Sequence, residues 1–147
     1  MARVKITEYA AKRRLMGDAY QGIPIRPDNI TAKLPSRGRY VGKVDEGVKK
    51  RFVSGLVALD TSPKEIPGIL TRWRKKGFRQ FLVEPYFAHA KENERYFCLE
   101  RIREGVRLLH APGGGVAVED NPEQVEQYIV SGADDVPEIS QKTGIPQ

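Results

Sequence analysis

The residues best suited to chemistry in this sequence are cations at the end of a predicted strand. Lys43 closes a strand predicted at residues 39–43, and Lys49, Lys50 and Arg51 follow in a loop. A lysine fixed at a strand end can place its ammonium against a phosphate, and a guanidinium can bind phosphate through two hydrogen bonds. The pattern favours an anion-binding site, and the alternative is a run of solvated surface charges.

The charge of the chain is unevenly distributed. Residues 1–117 carry 24 Lys and Arg side chains against 12 Asp and Glu, whereas residues 118–147 carry one against seven. A basic body with an acidic tail is suited to an anionic partner. The phosphates of a nucleotide and a nucleic acid both fit this distribution, and an ordinary basic surface also explains it.

Other residue types that often carry chemistry form no recognisable site. His89 and His110 lack the spacing of metal ligands or of a catalytic triad, so no metal site is predicted and His89 is interpreted as structural. Residues 113–115 are three glycines without the lysine and spacing of a P-loop, and we interpret them as a turn. Cys98 is the only cysteine, so no disulfide can form within the chain, and we expect a core residue of a cytoplasmic protein. No apolar run approaches the length of a membrane span.

The elements that would position the cations are strands mixed with few helices. Thr7 is a good N-cap for a first helix that Gly17 can end, and residues 18–38 are predicted to be mostly loop. Strands are predicted at residues 39–43, 55–59, 81–83, 96–102, 106–110 and 116–118. Further helices are predicted after Asn121-Pro122, with Val125, Tyr128 and Ile129 facing inward, and near residues 137–143, ended by Gly144. The fold class is α+β in layers.

The clearest helix lies in the middle of the chain. Its apolar residues, spaced i, i+3, i+4 and i+7, form one face: Ile66, Ile69, Leu70 and Trp73. Ser62 and Glu65 have the spacing of a capping box. Because Pro67 lacks an N–H, the helix can begin later than that box implies.

Several segments, in the same order, resemble the nucleotide-binding region of the ATP-citrate lyase family, which is related to the succinyl-CoA synthetase β subunit. The similar segments are Met1-Ala-Arg3, Glu8-Tyr9, Ala11-Lys-Arg13, Val41-Gly-Lys-Val-Asp45, Lys49-Lys-Arg51, Ser54-Gly-Leu-Val-Ala58, Phe81-Leu-Val-Glu-Pro-Tyr-Phe-Ala-His89, Tyr96-Phe-Cys-Leu-Glu100 and Gly114-Gly-Val-Ala-Val-Glu119. The resemblance implies the N-terminal part of an ATP-grasp fold, with a mixed, mostly antiparallel sheet flanked by helices. Residues 1–131 would form this subdomain, and residues 132–147 would begin a truncated following segment.

The resemblance also implies how the phosphates would be held. Lys43 matches a lysine that contacts the nucleotide, and Arg51 would bind phosphate from the basic loop. Phe52 departs from the family, which usually has glycine there so that the backbone can approach phosphate. A bulky residue resists a positive φ, so we expect either a reshaped loop or a reduced nucleotide affinity.

Residues 84–87 resemble the hinge that lines the adenine slot in the family. Pro85 could offer only its carbonyl to the adenine edge because proline lacks an N–H, and Phe87 would pack against the ring. Glu94 matches an acidic residue that accepts from the ribose. Without the resemblance, these residues would be an ordinary strand end with aromatic neighbours.

The complete enzyme implied by the resemblance would use ATP, Mg²⁺, CoA and citrate to form acetyl-CoA and oxaloacetate. The family's metal-binding strand, with a Glu-x-Asn-Pro pattern, has no counterpart in this sequence, and neither have the CoA, carboxylate and phosphohistidine modules. We therefore expect the isolated chain to bind ATP or ADP without turnover. A companion subunit or a missing C-terminal region would carry the other sites.

Two alternatives stay open at this point. One is a succinyl-CoA synthetase-like ligase with another carboxylic acid as substrate. The other is a non-catalytic module that keeps the fold and binds a partner or a nucleotide. Nucleic acid is not the expected partner, because no recognisable RNA-binding module combines the aromatic and basic residues.

Overall fold

Two sheets carry the fold, and every strand pair in them is antiparallel. This computed structural model describes residues 6–29, 34, 36–114, 118 and 122–145. The first sheet has the order β1-β4-β2-β3, with β1 (Ile23–Ile25), β2 (Tyr40–Val44), β3 (Val57–Thr61) and β4 (Phe81–Pro85). The second has the order β5-β6-β7, with β5 (Tyr96–Ile102), β6 (Gly105–Ala111) and β7 (Glu126–Val130). The helices are α1 (Glu8–Met16), α2 (Ile66–Lys75) and α3 (Val136–Thr143).

The chain divides into two compact units, Met1–Phe87 and Ala88–Gln147. The first contains α1, α2 and the four-stranded sheet, and the second contains the three-stranded sheet and α3. This confirms the predicted α+β class with antiparallel strands. The boundary predicted at residue 131 marks the end of an ATP-grasp subdomain and not the division between these two compact units. That boundary stays a prediction.

The first helix begins and ends at the predicted residues. The Thr7 side chain accepts a hydrogen bond from the backbone N–H of Ala10, 3.2 Å away. Gly17 follows the last helical residue with a φ of 57°, a conformation that glycine adopts at low cost. Helix α1 buries no residue of its own, so polar contacts described below hold it.

Helix α2 begins later than the capping-box spacing implies, as Pro67 indicated. The Glu65 carboxylate accepts from the backbone N–H of Ser62 at 2.8 Å, which is one half of the box, and the helix starts at Ile66. Pro67 then lies in the first turn, where an N–H is not needed. Ile66, Leu70 and Trp73 are buried, so the predicted inner face is confirmed.

Trp73 lies at the centre of the core of the first unit. It is 4% exposed, stacks on Phe81 with 6.0 Å between ring centroids, and donates from Nε1 to the Gly55 carbonyl at 2.9 Å. The buried members of this core come from β1, β2, β4, α2 and the residue just before β3: Ile25, Val44, Leu56, Ile66, Leu70, Trp73, Phe81 and Val83. The core therefore fixes β2 and β4, the two strands that carry the candidate site.

A strand interrupts the segment that was predicted as mostly loop. β1 pairs with β4 through Ile23↔Val83 and Ile25↔Phe81. Pro24 hid this strand in the sequence, because proline is excluded from central strands. β1 is at the edge of its sheet, where proline is tolerated.

The second unit confirms the predicted hairpin of β5 and β6. Gly105 begins β6 with a φ of 146°, and a Cβ there would stand 2.3 Å from the Val130 carbonyl oxygen. Helix α3 ends at Gly144 in the left-handed conformation, as predicted. The strand predicted at residues 116–118 lies outside the described residues except for Val118.

The helix predicted after Asn121 is wrong. Asn121 lies outside the described residues, Pro122–Gln124 is a single 3₁₀ turn, and Glu126–Val130 is β7. Pro122 does begin a helical turn, as proline at a first helical position predicts, but the turn is not continued. The following segment is rich in β-branched and aromatic residues, and it pairs with the edge of β6 that β5 leaves open. The spacing of residues along the chain does not reveal this pairing. Ile129, which was predicted to face inward, is exposed.

None of the helices in the described part of the chain has the length and apolar character needed to cross a bilayer.

Candidate anion-binding site

Lys43 and Arg51, the two predicted phosphate cations, meet on one carboxylate. Lys43 projects from β2, and its Nζ lies 2.6 Å from Glu8 Oε1 and 2.7 Å from Glu84 Oε2. Arg51 leaves the loop after β2 and donates to Glu8 Oε2 and to the Val44 carbonyl, both at 2.8 Å. The structure therefore brings the two cations together on the Glu8 carboxylate.

A second carboxylate, Glu84 of β4, completes the cluster. Lys12 of α1 lies 2.7 Å from Glu84 Oε1 and 2.8 Å from Glu8 Oε1. The Tyr20 hydroxyl donates to Glu84 Oε1 at 2.7 Å. Three cations thus share two acidic side chains, and helix α1 is tied to the strands below it.

Asp45 secures the start of α1 from the end of β2. Its carboxylate accepts from the backbone N–H groups of Glu8 at 2.6 Å and of Tyr9 at 3.2 Å. Asp45 is buried, and a carboxylate at a helix N-terminus is stabilised by the unsatisfied N–H groups there. The backbone of Glu8 is therefore fixed as well as its side chain.

The electrostatics of the cluster keep its carboxylates ionised. Burial raises the pKa of Glu8, but the charge of Lys43 and hydrogen bonds from Lys12, Lys43 and Arg51 outweigh it and bring the pKa to about 2. Burial likewise raises the pKa of Glu84, yet its hydrogen bonds to Lys12, Lys43 and Tyr20 lower it overall. The pKa of Tyr20 is raised by burial and by Glu84, so its hydroxyl stays a donor.

These shifts predict an acid-sensitive first unit. The pKa of Glu8 falls from an ordinary value of 4.5 to about 2 on folding, so its contribution is complete above pH 4.5. It is lost as pH falls through the folded value, and Glu84 adds in the same direction. We expect Glu8 to contribute no more than about 3 kcal/mol of this loss. Urea unfolding followed by Trp73 fluorescence between pH 7 and pH 2.5 measures it, and a flat profile would contradict the prediction.

The loop after β2 is closed by its own backbone. Ser54 N–H donates to the Lys50 carbonyl at 3.0 Å, and Leu56 N–H donates to the Arg51 carbonyl at 2.8 Å. Lys50 takes the left-handed conformation with a φ of 53°, two residues before Phe52. Phe52 points outward and is 54% exposed. Its predicted effect on nucleotide affinity stays a prediction.

The predicted adenine hinge ends β4. Pro85 is the last strand residue and is half-buried, while Phe87 is 76% exposed. The Tyr86 N–H donates to the Arg39 carbonyl at 2.8 Å, so this backbone donor is already used just beyond the ends of the paired strands β4 and β2. The nucleotide contacts assigned to Pro85 and Phe87 stay predictions.

Glu94 belongs to the second unit, whereas the residues of the cluster belong to the first. Its Oε1 is 3.0 Å from His89 Nε2, so both side chains have a local partner. His110 is buried, with Nδ1 3.7 Å from a carboxylate oxygen of Glu126. The ribose contact assigned to Glu94 stays a prediction.

Metal binding finds no ready site in the residues that the structure describes. No group of three or more His, Cys, Asp or Glu side chains in these ranges is placed to hold an ion. The carboxylates of Glu8 and Glu84 are already engaged by cations, which disfavours a further cation.

Sequence reasoning identified two of the six side chains of the cluster, Lys43 and Arg51, and missed the other four. Glu8, Lys12 and Tyr20 were not assigned to a site, and Glu84 was placed in the predicted adenine hinge without a role for its carboxylate. One local signal existed, because Glu8 and Lys12 have the i, i+4 spacing of a helical ion pair. The contacts from α1 to β2 and β4 span 35 and 72 positions, which no local pattern reveals.

Comparisons with known proteins find sequence similarity to ATP-citrate synthases over about three fifths of the chain. The mouse (Mus musculus) ATP-citrate synthase is 33% identical over 99 residues, which covers 61% of this chain and 9% of that protein. A probable ATP-citrate synthase subunit 2 from Schizosaccharomyces pombe is 29% identical over 101 residues, covering 63% and 20%. The chain thus spans a tenth to a fifth of the length of these relatives. No protein-family profile matches it.

The fold has a solved counterpart. An ATP citrate lyase from Methanothrix soehngenii, in complex with citrate and coenzyme A, superposes with a TM-score of 0.67 at 22% identity. The superposition covers 93% of this chain and 37% of that one. The α+β fold of this chain is therefore also present in part of that ATP citrate lyase. In sequence, the chain is similar to part of the ATP-citrate synthases named above.

Proposed function

We propose that this chain is the nucleotide-binding region of an ATP-citrate lyase-like enzyme with an ATP-grasp fold. It binds ATP or ADP, with Lys43 and Arg51 on the phosphates. Pro85 and Phe87 line the adenine slot, and Glu94 accepts from the ribose. The chain works in the cytoplasm, with a companion subunit or a further region that supplies the CoA, citrate and phosphohistidine sites.

One observation carries this proposal. Lys43 and Arg51 lie on the two oxygens of the Glu8 carboxylate, at 2.6 and 2.8 Å. Two cations that share one carboxylate are spaced to share one phosphate, since both groups present oxygens to charged donors. Phosphoryl transfer depends mainly on such positioning and charge neutralisation.

Mg²⁺ belongs to the complete enzyme in this proposal. Its ligands would lie in the further region that supplies the other sites of the enzyme. In the complete enzyme ATP, CoA and citrate would give acetyl-CoA and oxaloacetate. A succinyl-CoA synthetase-like ligase is the alternative within the same class.

A titration with ATP tests the phosphate contacts. We expect weak binding of ATP by the chain, with a free energy of about −4 to −6 kcal/mol. Lys43→Ala should weaken it by at least about tenfold, because a charge-assisted hydrogen bond contributes roughly 1.5–3 kcal/mol. Lys64→Ala, which removes an exposed lysine of the same unit, should change it little. Phe52→Gly should strengthen binding, because it reopens the backbone approach.

A second candidate function is a non-catalytic module that binds a partner. The exposed side chains of Phe52 and Val53, at the tip of the basic loop, favour it. Adenosine and a short single strand, titrated at two salt concentrations, separate the candidates. Binding that falls steeply with salt and rises with strand length would indicate nucleic acid. Absence of ATP and adenosine binding at millimolar concentration would leave the partner-binding function as the better account.

A further inference from the structure

One side chain touches both predicted phosphate cations, and it was not assigned to any site. We propose that Glu8 of helix α1 is a positioning residue of the phosphate site: it holds Lys43 and Arg51 in a fixed pair whose remaining N–H donors bind the phosphates. The inference rests on the proposed function and deepens it. It makes the docking of α1 a condition for binding phosphate.

The geometry of Glu8 is that of a bridge between two cations. One carboxylate oxygen accepts from Lys43 at 2.6 Å and the other from Arg51 at 2.8 Å. Both cationic side chains are long, and each samples many rotamers when it is free. A carboxylate between them fixes the separation of their head groups before any ligand arrives.

The bridge leaves donors for a ligand. An ammonium has three donors, and Glu8 and Glu84 take two of those of Lys43. A guanidinium has five, and Glu8 and the Val44 carbonyl take two of those of Arg51. The side chains of Lys43 and Arg51 are 19% and 27% exposed, so solvent still reaches the pair.

Glu8 is held too firmly for an incoming phosphate to replace its carboxylate on the two cations. Its backbone N–H donates to Asp45 at 2.6 Å, and Lys12 lies 2.8 Å from its carboxylate on the same helix. Its lowered pKa keeps it ionised at neutral pH. A phosphate that displaced Glu8 would have to break its contacts with three cations. Protein kinases use the same kind of arrangement, in which a helix glutamate pairs with the strand lysine that holds the phosphates.

Tripolyphosphate, ATP and adenosine are the probes for a calorimetric test on the full chain. Tripolyphosphate reports on the cation pair without the adenine slot. Glu8→Gln keeps the shape of the side chain but loses its charge, and we expect it to weaken tripolyphosphate and ATP binding by about tenfold. Adenosine binding should not change. Asp18→Asn removes an exposed acidic charge near the end of the same helix and should not weaken binding.

A second variant keeps the proposal testable if Glu8→Gln does not fold. Asp45→Asn loosens the start of α1 without touching either cation, and we expect it to weaken tripolyphosphate binding as well, by a smaller factor. Far-UV circular dichroism and Trp73 fluorescence establish that each variant is folded before titration. Conservative replacement by Glu8→Asp should restore less than the wild-type affinity, because the shorter side chain cannot reach both cations.

The outcomes separate the two proposals. Equal or tighter tripolyphosphate binding by folded Glu8→Gln would overturn the positioning role, and tighter binding would identify Glu8 as an occluding group. If the wild type binds tripolyphosphate but not ATP, the nucleotide proposal fails, while weaker tripolyphosphate binding by Glu8→Gln still supports the positioning role. If the wild type binds neither probe, both proposals are overturned.

Discussion

Replacement of Trp73 by alanine is expected to lower the free energy of unfolding of the first unit by roughly 3–5 kcal/mol. The indole is buried, stacks on Phe81 and donates to the Gly55 carbonyl, so the change removes packing and leaves that carbonyl without its partner. The ring also lies 3.6 Å from where a Cβ on Gly42 would stand, so the cavity would open directly above β2.

Chemical denaturation followed by far-UV circular dichroism measures this loss, because Trp73 is the only tryptophan and its fluorescence disappears with it. Leu15→Ala is the matched control, since Leu15 is an exposed apolar residue of α1. Its effect should stay within about 0.5 kcal/mol. A loss below about 0.5 kcal/mol for Trp73→Ala would show that α2 does not present this face to the sheet.

Replacement of Glu84 by alanine is the second large effect, with an expected loss of about 3–5 kcal/mol. Glu84 is buried and neutralises Lys12 and Lys43, each at 2.7 Å. Removal of one partner from a buried ionic cluster leaves uncompensated charge in a poorly solvated place. The Tyr20 hydroxyl would lose its acceptor as well.

Urea unfolding followed by Trp73 fluorescence measures this second loss. Asp18→Ala is the control, because Asp18 pairs with Arg13 and has a side chain that is 98% exposed. An exposed ion pair contributes little, so its removal should cost less than about 1 kcal/mol. Equal losses for the two variants would contradict a special role for the buried cluster.

Local patterns in the sequence were sufficient for most individual elements. The cap at Thr7, the apolar face of α2 and the hairpin of β5 and β6 each depend on residues a few positions apart. β1 and β7 escaped prediction because each exists as an added strand beside a distant one. When pairing with a neighbouring strand decides the conformation, the residues of the segment carry only a weak strand pattern of their own.

The same distinction applies to the candidate site. The residue types alone placed Lys43 at a strand end and Arg51 in a basic loop, and the resemblance in segment order pointed to ATP-citrate lyase. Tertiary structure alone decided that both cations share Glu8, and that Lys12 and Tyr20 reach Glu84. The physical reason is that a buried charge needs a partner within a few ångströms, whatever its distance in sequence, and only the packed sheet and helix set which partners meet.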